Sequence, residues 1–411
     1  MSNLELFIKV IIAVIIIIVM AQLLGRGIKL LGQPAVVGEM ISGVLLGPTL
    51  FGYLFPDASA EVFPKDIMPI LFIISNLGLS IYMFLVGAEL DLKLFTPKTL
   101  KDAGALSTAA VIVPFLLGAL AAFMFNDQIN AMHIDKFSLI IFLGTALAIT
   151  AFPMLARILQ EKNIVNTRIG SLSLLSASIQ DLVSWILLGL VTVMSTTQEY
   201  SGIVIMVVGA AALVLVLFYV VRPLLRKVAM RVHAFEDLTS ADFGIVFLLL
   251  LASALITDWL GLYSVFGGFI LGLSLPRNGF YIAAITMRLK DVTVMALLPV
   301  FFAFSGLNTN IRNLGELELI VPTLVILLFA FASKYFSCMF TMRWVSKFSW
   351  REASAIGGLI NARGLMELII ANIGLFYGLI DINLYSILVL VAITSTLAAL
   401  PIYNLSLGKQ R

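Results

Sequence analysis

Glu39, Asp181, Lys334, Arg363 and Glu367 interrupt long apolar stretches of this 411-residue chain. A charge at the centre of a bilayer costs about 2.5–3.5 kcal/mol on insertion scales, so each of these residues is expected to face the protein interior and to need a partner. Asp181 is preceded by Gln180 and by Ser176 and Ser178. On a helix, Ser178 shares the carboxylate's face, and its hydroxyl can help to hold a dehydrated ion. A carboxylate with a few neutral oxygens suits a small cation and a proton alike. The plainer reading, an aspartate neutralised for stability alone, has against it that a hydrophobic residue would serve as well. Lys334 either neutralises a carboxylate or titrates itself when buried. Arg363 cannot lose its proton, so it is expected to pin helix-end carbonyls and a nearby acid such as Glu367. Lys334, Arg363 and Glu367 are therefore read as structural or charge-compensating. Glu39 follows Gly38 near the start of its stretch, within reach of headgroups or a loop, and reads as structural.

The elements that position these residues are membrane helices. The chain is 61% hydrophobic and only 12% charged, against roughly 25% charged in an ordinary soluble domain. A water-soluble core is excluded. Apolar windows of transmembrane length predict thirteen spans, at about 6–25, 34–53, 67–88, 103–125, 137–158, 169–194, 202–221, 242–257, 260–275, 292–307, 319–342, 353–378 and 383–406. The hairpin around Asp258, Trp259, Leu260 and Gly261 is the least distinct, since one re-entrant element would also fit. With the amino terminus outside, cytoplasmic segments take twenty of the 26 lysines and arginines, and the external side keeps only Lys9, Lys65, Lys136 and Arg312. Adding or dropping a span would destroy that asymmetry, so the odd count and a cytoplasmic carboxyl terminus are predicted together. The first apolar stretch, from Leu6 to about Leu24, lacks a charged leader and a small-residue cleavage site and reads as a retained helix.

The same composition excludes several classes. The net charge of +3 comes from basic residues in short loops, which argues against a nucleic-acid partner. Cys338 stands alone in an apolar span and reads as a packing residue. His133 and His233 fall on opposite sides of the predicted topology, so neither a metal cofactor nor any other cofactor is expected. The chain is expected to be one transmembrane domain with no soluble regulatory domain.

Two spans carry helix-breaking residues. The fifth contains Thr150, Ala151, Phe152 and Pro153; the twelfth contains Gly357 and Gly358, then Asn361, Arg363 and Gly364. Proline removes a helical hydrogen bond and glycines weaken a helix, so each span can part into half-helices whose ends carry partial charge. Interrupted helices at corresponding places in two halves point to a transport site, and the fifth and twelfth spans correspond if two six-helix halves are inverted repeats.

At these residues the sequence resembles the second monovalent cation:proton antiporter family, its CHX-type exchangers and its glutathione-gated potassium efflux members. The shared stretches run from Gln33-Pro34 through Gly38-Glu39 to Gly47-Pro48, then Thr150-Ala151-Phe152-Pro153 with Ala156-Arg157-Ile158-Leu159, and Gln180-Asp181. They continue at Pro299-Val300-Phe301-Phe302, Ser305-Gly306-Leu307, Lys334 and Asn361-Ala362-Arg363-Gly364. The resemblance implies the sodium/proton antiporter fold, with the broken fifth and twelfth spans crossing beside an ion site. It also implies a homodimer in the plasma membrane. In it a core bundle (about 103–194 and 319–406) moves against a dimerisation bundle (about 6–88 and 242–307), joined by a linker helix at about 202–221. By position, Asp181 matches the family's ion- and proton-binding carboxylate, Thr150 a residue whose backbone helps to coordinate the ion, and Lys334 the basic residue of the eleventh span. Some members have a second aspartate where this chain has Gln180, and potassium efflux members carry a nucleotide-binding domain, which is not expected here.

The function these readings predict is exchange of Na+ or K+ for H+, one for one, because a single titrating carboxylate is neutral whether it carries a proton or a monovalent cation. An ion-coupled symporter of an organic solute could use the same broken helices, and a cation channel would want a carbonyl filter or a ring of acids. An intramembrane aspartyl protease needs two aspartates, and only Asp181 lies deep in a span. No enzyme activity is expected.

Overall fold

A segment of about 20 apolar residues in hydrocarbon has one solution open to it alone, the helix, because its own backbone then satisfies every N–H and C=O. The computed structural model describes residues 2–89, 97–132, 134–165, 167–196, 200–235 and 237–408, and among them there is no strand. In chain order the main helices are α1 (Asn3–Leu30), α2 (Ala35–Leu46), α3 (Met68–Glu89), α4 (Pro97–Met124), α5 (Lys136–Ala148), α6 (Phe152–Glu161), α7 (Arg168–Thr196) and α8 (Tyr200–Val216). They continue as α9 (Arg222–Phe235), α10 (Ser240–Trp259), α11 (Ser264–Ser274), α12 (Gly279–Val292), α13 (Leu298–Leu307), α14 (Leu317–Trp344), α15 (Trp350–Ile360), α16 (Leu365–Phe376) and α17 (Ile382–Leu407). His133, Lys93, Lys409 and Arg411 lie outside the described residues.

Each hydropathy window holds a helix or a pair of half-helices, and nine segments among the described residues are long and apolar enough to cross a membrane unaided. Some boundaries differ. The 34–53 window is helical to Leu46 and resumes as a short turn of helix at Phe51–Leu54. The hairpin near Asp258 is two helices, α10 and α11, separated at Gly261, whose φ of 79° places it in the left-handed region. Beyond the 202–221 window a π turn, Leu217–Val221, runs straight into α9, so the basic stretch from Arg222 to Arg231 is helical where a loop was expected. Another π turn, Thr293–Leu297, joins α12 to α13. Hydropathy windows end where charge begins, but arginine, lysine, leucine and methionine all favour helix, so the helix outlasts the apolar run.

The chain divides into two compact units. The first comprises Met1–Ile18, Ala60–Asp91 and Thr192–Phe304. There α3 packs along α11, and a Cβ at Gly87 or Gly272 would strike the backbone oxygen of Phe269 or Phe84, so only the smallest residues allow the approach. The second unit comprises Val19–Ser59, Leu92–Val191 and Ser305–Arg411. In it α4 packs on α5 and α14, α14 on α15, and α17 on both α15 and α16. Asp181, Lys334, Arg363 and Glu367 all belong to this unit and are fully buried.

Candidate functional site

The site begins where α5 stops. Its last residue is Ala148, Ile149 turns extended (φ −65°, ψ 142°), and α6 starts at Phe152 with Pro153 in its first turn. Proline fits there because that N–H has no intrahelical acceptor in any case. The break thus leaves two helix ends facing the interior, α5 presenting carbonyls and α6 presenting amides, with partial charges of opposite sign.

Each end meets an ionisable side chain from another helix. Lys334, on α14, donates from Nζ to the carbonyl oxygens of Ala148 (2.8 Å) and Ile149 (2.5 Å). Asp181, on α7, accepts at Oδ1 from the backbone N–H of Phe152 at 3.3 Å. A basic side chain therefore caps the carbonyl end of α5 and an acidic one the amide end of α6. The other carboxylate oxygen, Oδ2 of Asp181, is buried and takes no hydrogen bond from the described residues. A buried carboxylate oxygen without a donor is costly, so a residue held this way is suited to a cationic or protonic ligand.

The twelfth-span break lies at residues 361–364, between α15 and α16. Gly357 and Gly358, expected to help part this span, instead stay helical inside α15. Their lack of a side chain serves packing: a Cβ would collide with the Tyr335 carbonyl at the first and with the Ile402 side chain at the second. The residue that makes the break is Gly364, whose φ of 54° strains any side-chain-bearing residue and whose absent Cβ leaves room for Met154. The two interruptions touch, since the Ala151 N–H donates to the Ala362 carbonyl at 3.2 Å. Asn361 caps α15, donating from Nδ2 to the Gly357 carbonyl (3.1 Å), and its buried Oδ1 takes no hydrogen bond from the described residues.

Arg363 ties the second break to its surroundings. It donates to Glu367 Oε2 (3.0 Å) and to the carbonyls of Ala146 (3.3 Å) and Ala330 (2.7 Å), making a fully buried i,i+4 ion pair. Lys334 lies within electrostatic reach of Asp181, Arg363 and Glu367. When all four are ionised their charges cancel.

Of the residues singled out in the sequence, Thr150 donates from its hydroxyl to Gln180 Oε1, and the Gln180 amide donates onward to Ser176 Oγ at 2.9 Å. Ser176 also hydrogen-bonds Ser107 Oγ at 2.9 Å, so Gln180 is a neutral strut between the break and α4. The Ser178 hydroxyl is buried and donates to the Leu174 carbonyl (2.9 Å); no hydrogen bond joins it to Asp181. Glu39 is buried on α2, which packs on α17. Sequence reasoning missed the Phe152 amide and the Asn361 side chain as site groups. It also missed a buried cluster in which Asn372 donates to Ser305 Oγ (2.7 Å) while the Tyr385 hydroxyl donates to the Ser305 carbonyl (2.8 Å). The only signal for Asn361 was its place in the run Asn361-Ala362-Arg363-Gly364.

Helices that cross a membrane, two paired interruptions and charges gathered at both define a polytopic transporter of the antiporter fold. The chain belongs to the sodium/hydrogen exchanger family: the transmembrane model of that family matches residues 10–402. It is 34% identical over 390 residues to the Na(+)/H(+) antiporter NhaS4 of Synechocystis, covering 95% of each chain. It is 32% identical to K(+)/H(+) antiporter 1 of Saccharomyces cerevisiae and 33% identical to cation/H(+) antiporter 19 of Arabidopsis thaliana, covering 95% and 96% of this chain. It spans 45% and 49% of those two proteins, less than half their length. Among solved structures, the sodium proton antiporter MjNhaP1 from Methanocaldococcus jannaschii shares the fold, with a TM-score of 0.57 at 17% identity over 98% of this chain and 99% of that one. These relatives are named as transporters, not enzymes.

Proposed function

We propose that this protein exchanges a monovalent cation, Na+ or K+, for a proton by alternating access at Asp181. The observation that carries this reading is the pair of unequal oxygens on Asp181: Oδ1 is anchored to the amide end of α6, while Oδ2 is buried without a donor among the described residues. The anchored oxygen fixes the carboxylate in place, and the other is the atom that binds the proton or the cation. Asn361 Oδ1, buried beside the crossing, and the backbone of Thr150 are neutral oxygens suited to replace part of an ion's water. Ser178 and Gln180 support this ligand set from α7, Ser178 through its remaining lone pair and Gln180 by holding Thr150.

The exchange is electroneutral. Lys334 is committed to two carbonyls and keeps its proton through the cycle, so its charge cancels, and Gln180 supplies no second titrating acid. Arg363 and Glu367 compensate each other and brace the second break. The protein works as a homodimer in the plasma membrane, with thirteen spans, the amino terminus outside and the carboxyl terminus in the cytoplasm. The core bundle (about 103–194 and 319–406), which holds Asp181, is the moving part, and the dimerisation bundle (about 6–88 and 242–307) supplies the dimer contact. The similarity to antiporters named for sodium, potassium and protons supports the substrate class. The test is dequenching of a pH-sensitive dye in proteoliposomes as sodium, potassium, lithium and rubidium are added in turn. At least one of the four is expected to drive proton movement, and silence with all of them would defeat the reading.

A further inference from the structure

In the first unit, a cavity of about 460 Å³ is lined by Arg222, Arg226, Ala229 and Met230 of α9 and by Pro276, Arg277 and Asn278, the segment leading into α12. The segment's backbone is well held: Asn278 Oδ1 accepts from the amides of Phe280 and Tyr281, at 3.1 and 3.3 Å. Arg277 donates to the carbonyls of Ala88 (2.8 Å) and Leu273 (2.9 Å), which fixes its guanidinium in the cavity wall.

Arg222 and Arg226 stand at i and i+4 of one helix face, where like charges destabilise a helix. Two other basic groups of this unit have acids: Arg231 pairs with Asp242, and Lys290 with Glu89 at 2.9 Å. Among the described residues neither Arg222 nor Arg226 is paired with a carboxylate; the Arg222 guanidinium lies 5.8 Å from the ring centre of Phe218. Three guanidinium groups around one concavity, with no acid in its lining, suit a phosphate, whose oxygens match the planar fork of arginine. The same helical stretch exposes Tyr219, Val220, Leu224 and Met230, an apolar surface contiguous with the basic one. Acyl chains have a place there; a free anion gains nothing from it. On the topology proposed above, this face meets the cytoplasmic leaflet, where anionic lipids concentrate.

We infer that this cavity binds the phosphate of an anionic membrane phospholipid. Native mass spectrometry of the purified protein with phosphatidylglycerol, phosphatidylcholine or inorganic phosphate tests it. One phosphatidylglycerol is expected to be retained per chain in preference to phosphatidylcholine, with inorganic phosphate bound far more weakly. Replacing both arginines (R222Q with R226Q) removes two surface charges and is expected to weaken phosphatidylglycerol binding about thirty-fold. The pair R222K with R226K keeps the charge but loses the planar fork, so it should bind between the parent and the double glutamine variant, as should R226Q alone. Unchanged phosphatidylglycerol binding in the double glutamine variant, equal retention of phosphatidylcholine, or inorganic phosphate bound as tightly as the lipid would each overturn the assignment.

Discussion

At the residue scale, Asp181 and Lys334 are legible in the sequence because an ionisable group in an apolar span has no cheap explanation. What each one grips is not legible. Asp181 takes the amide of Phe152 and Lys334 takes the carbonyls of Ala148 and Ile149, contacts that join residues separated by 29 to 186 positions. Only the fold brings these together. The lysine's role as a helix cap makes a specific prediction. Lys334→Ala leaves two carbonyls without their donor and is expected to cost about 1–3 kcal/mol for each one left buried and unsatisfied. Lys334→Gln can still donate two N–H groups without the charge, so its melting temperature in detergent should lie between those of Lys334→Ala and the parent. Equal melting temperatures for the alanine and glutamine variants would show that the hydrogen bonds to α5 contribute nothing.

At the element scale, hydropathy locates every helix window because chain length and the hydrocarbon leave few alternatives. It misplaces ends where helix-favouring basic residues extend the helix past the apolar run, as in α9. The fifth-span break is legible from Pro153. The twelfth-span break was read partly from Gly357 and Gly358, which serve packing; the discriminating residue is Gly364, and the sign of φ is not written in the residue type. Gly364→Ala is therefore expected to destabilise the protein by about 1–3 kcal/mol, since alanine must adopt a backbone that only glycine visits readily and must displace Met154. Gly27→Ala on α1, where an added Cβ meets nothing within 4 Å, should be neutral or slightly stabilising. Thermal melts of the two variants check this, and similar melting temperatures for both would contradict the account of the break.

At the scale of the whole molecule, stoichiometry follows from how many buried groups change protonation. On the mechanism proposed above, with Gln180 neutral and Lys334 held as a cap, Asp181 would be the one group to titrate during the cycle and no net charge would cross. In proteoliposomes with sodium as the substrate, a membrane potential imposed with potassium and valinomycin is expected to leave the rate of exchange nearly unchanged. A steep dependence on potential would mean that a second proton moves, with Lys334 its source.

The central claim is that Asp181 itself carries both the cation and the proton. Its most direct test compares parent and Asp181→Asn proteins, at matched incorporation into proteoliposomes, by cation-driven dequenching of a pH-sensitive dye. The amide keeps an oxygen for the Phe152 amide, so the fold should survive, but it can neither take the proton nor offer the cation a negative ligand. The account predicts that the variant's signal falls to that of protein-free liposomes. Substantial exchange by a folded Asp181→Asn protein would contradict it and shift the search to Glu367.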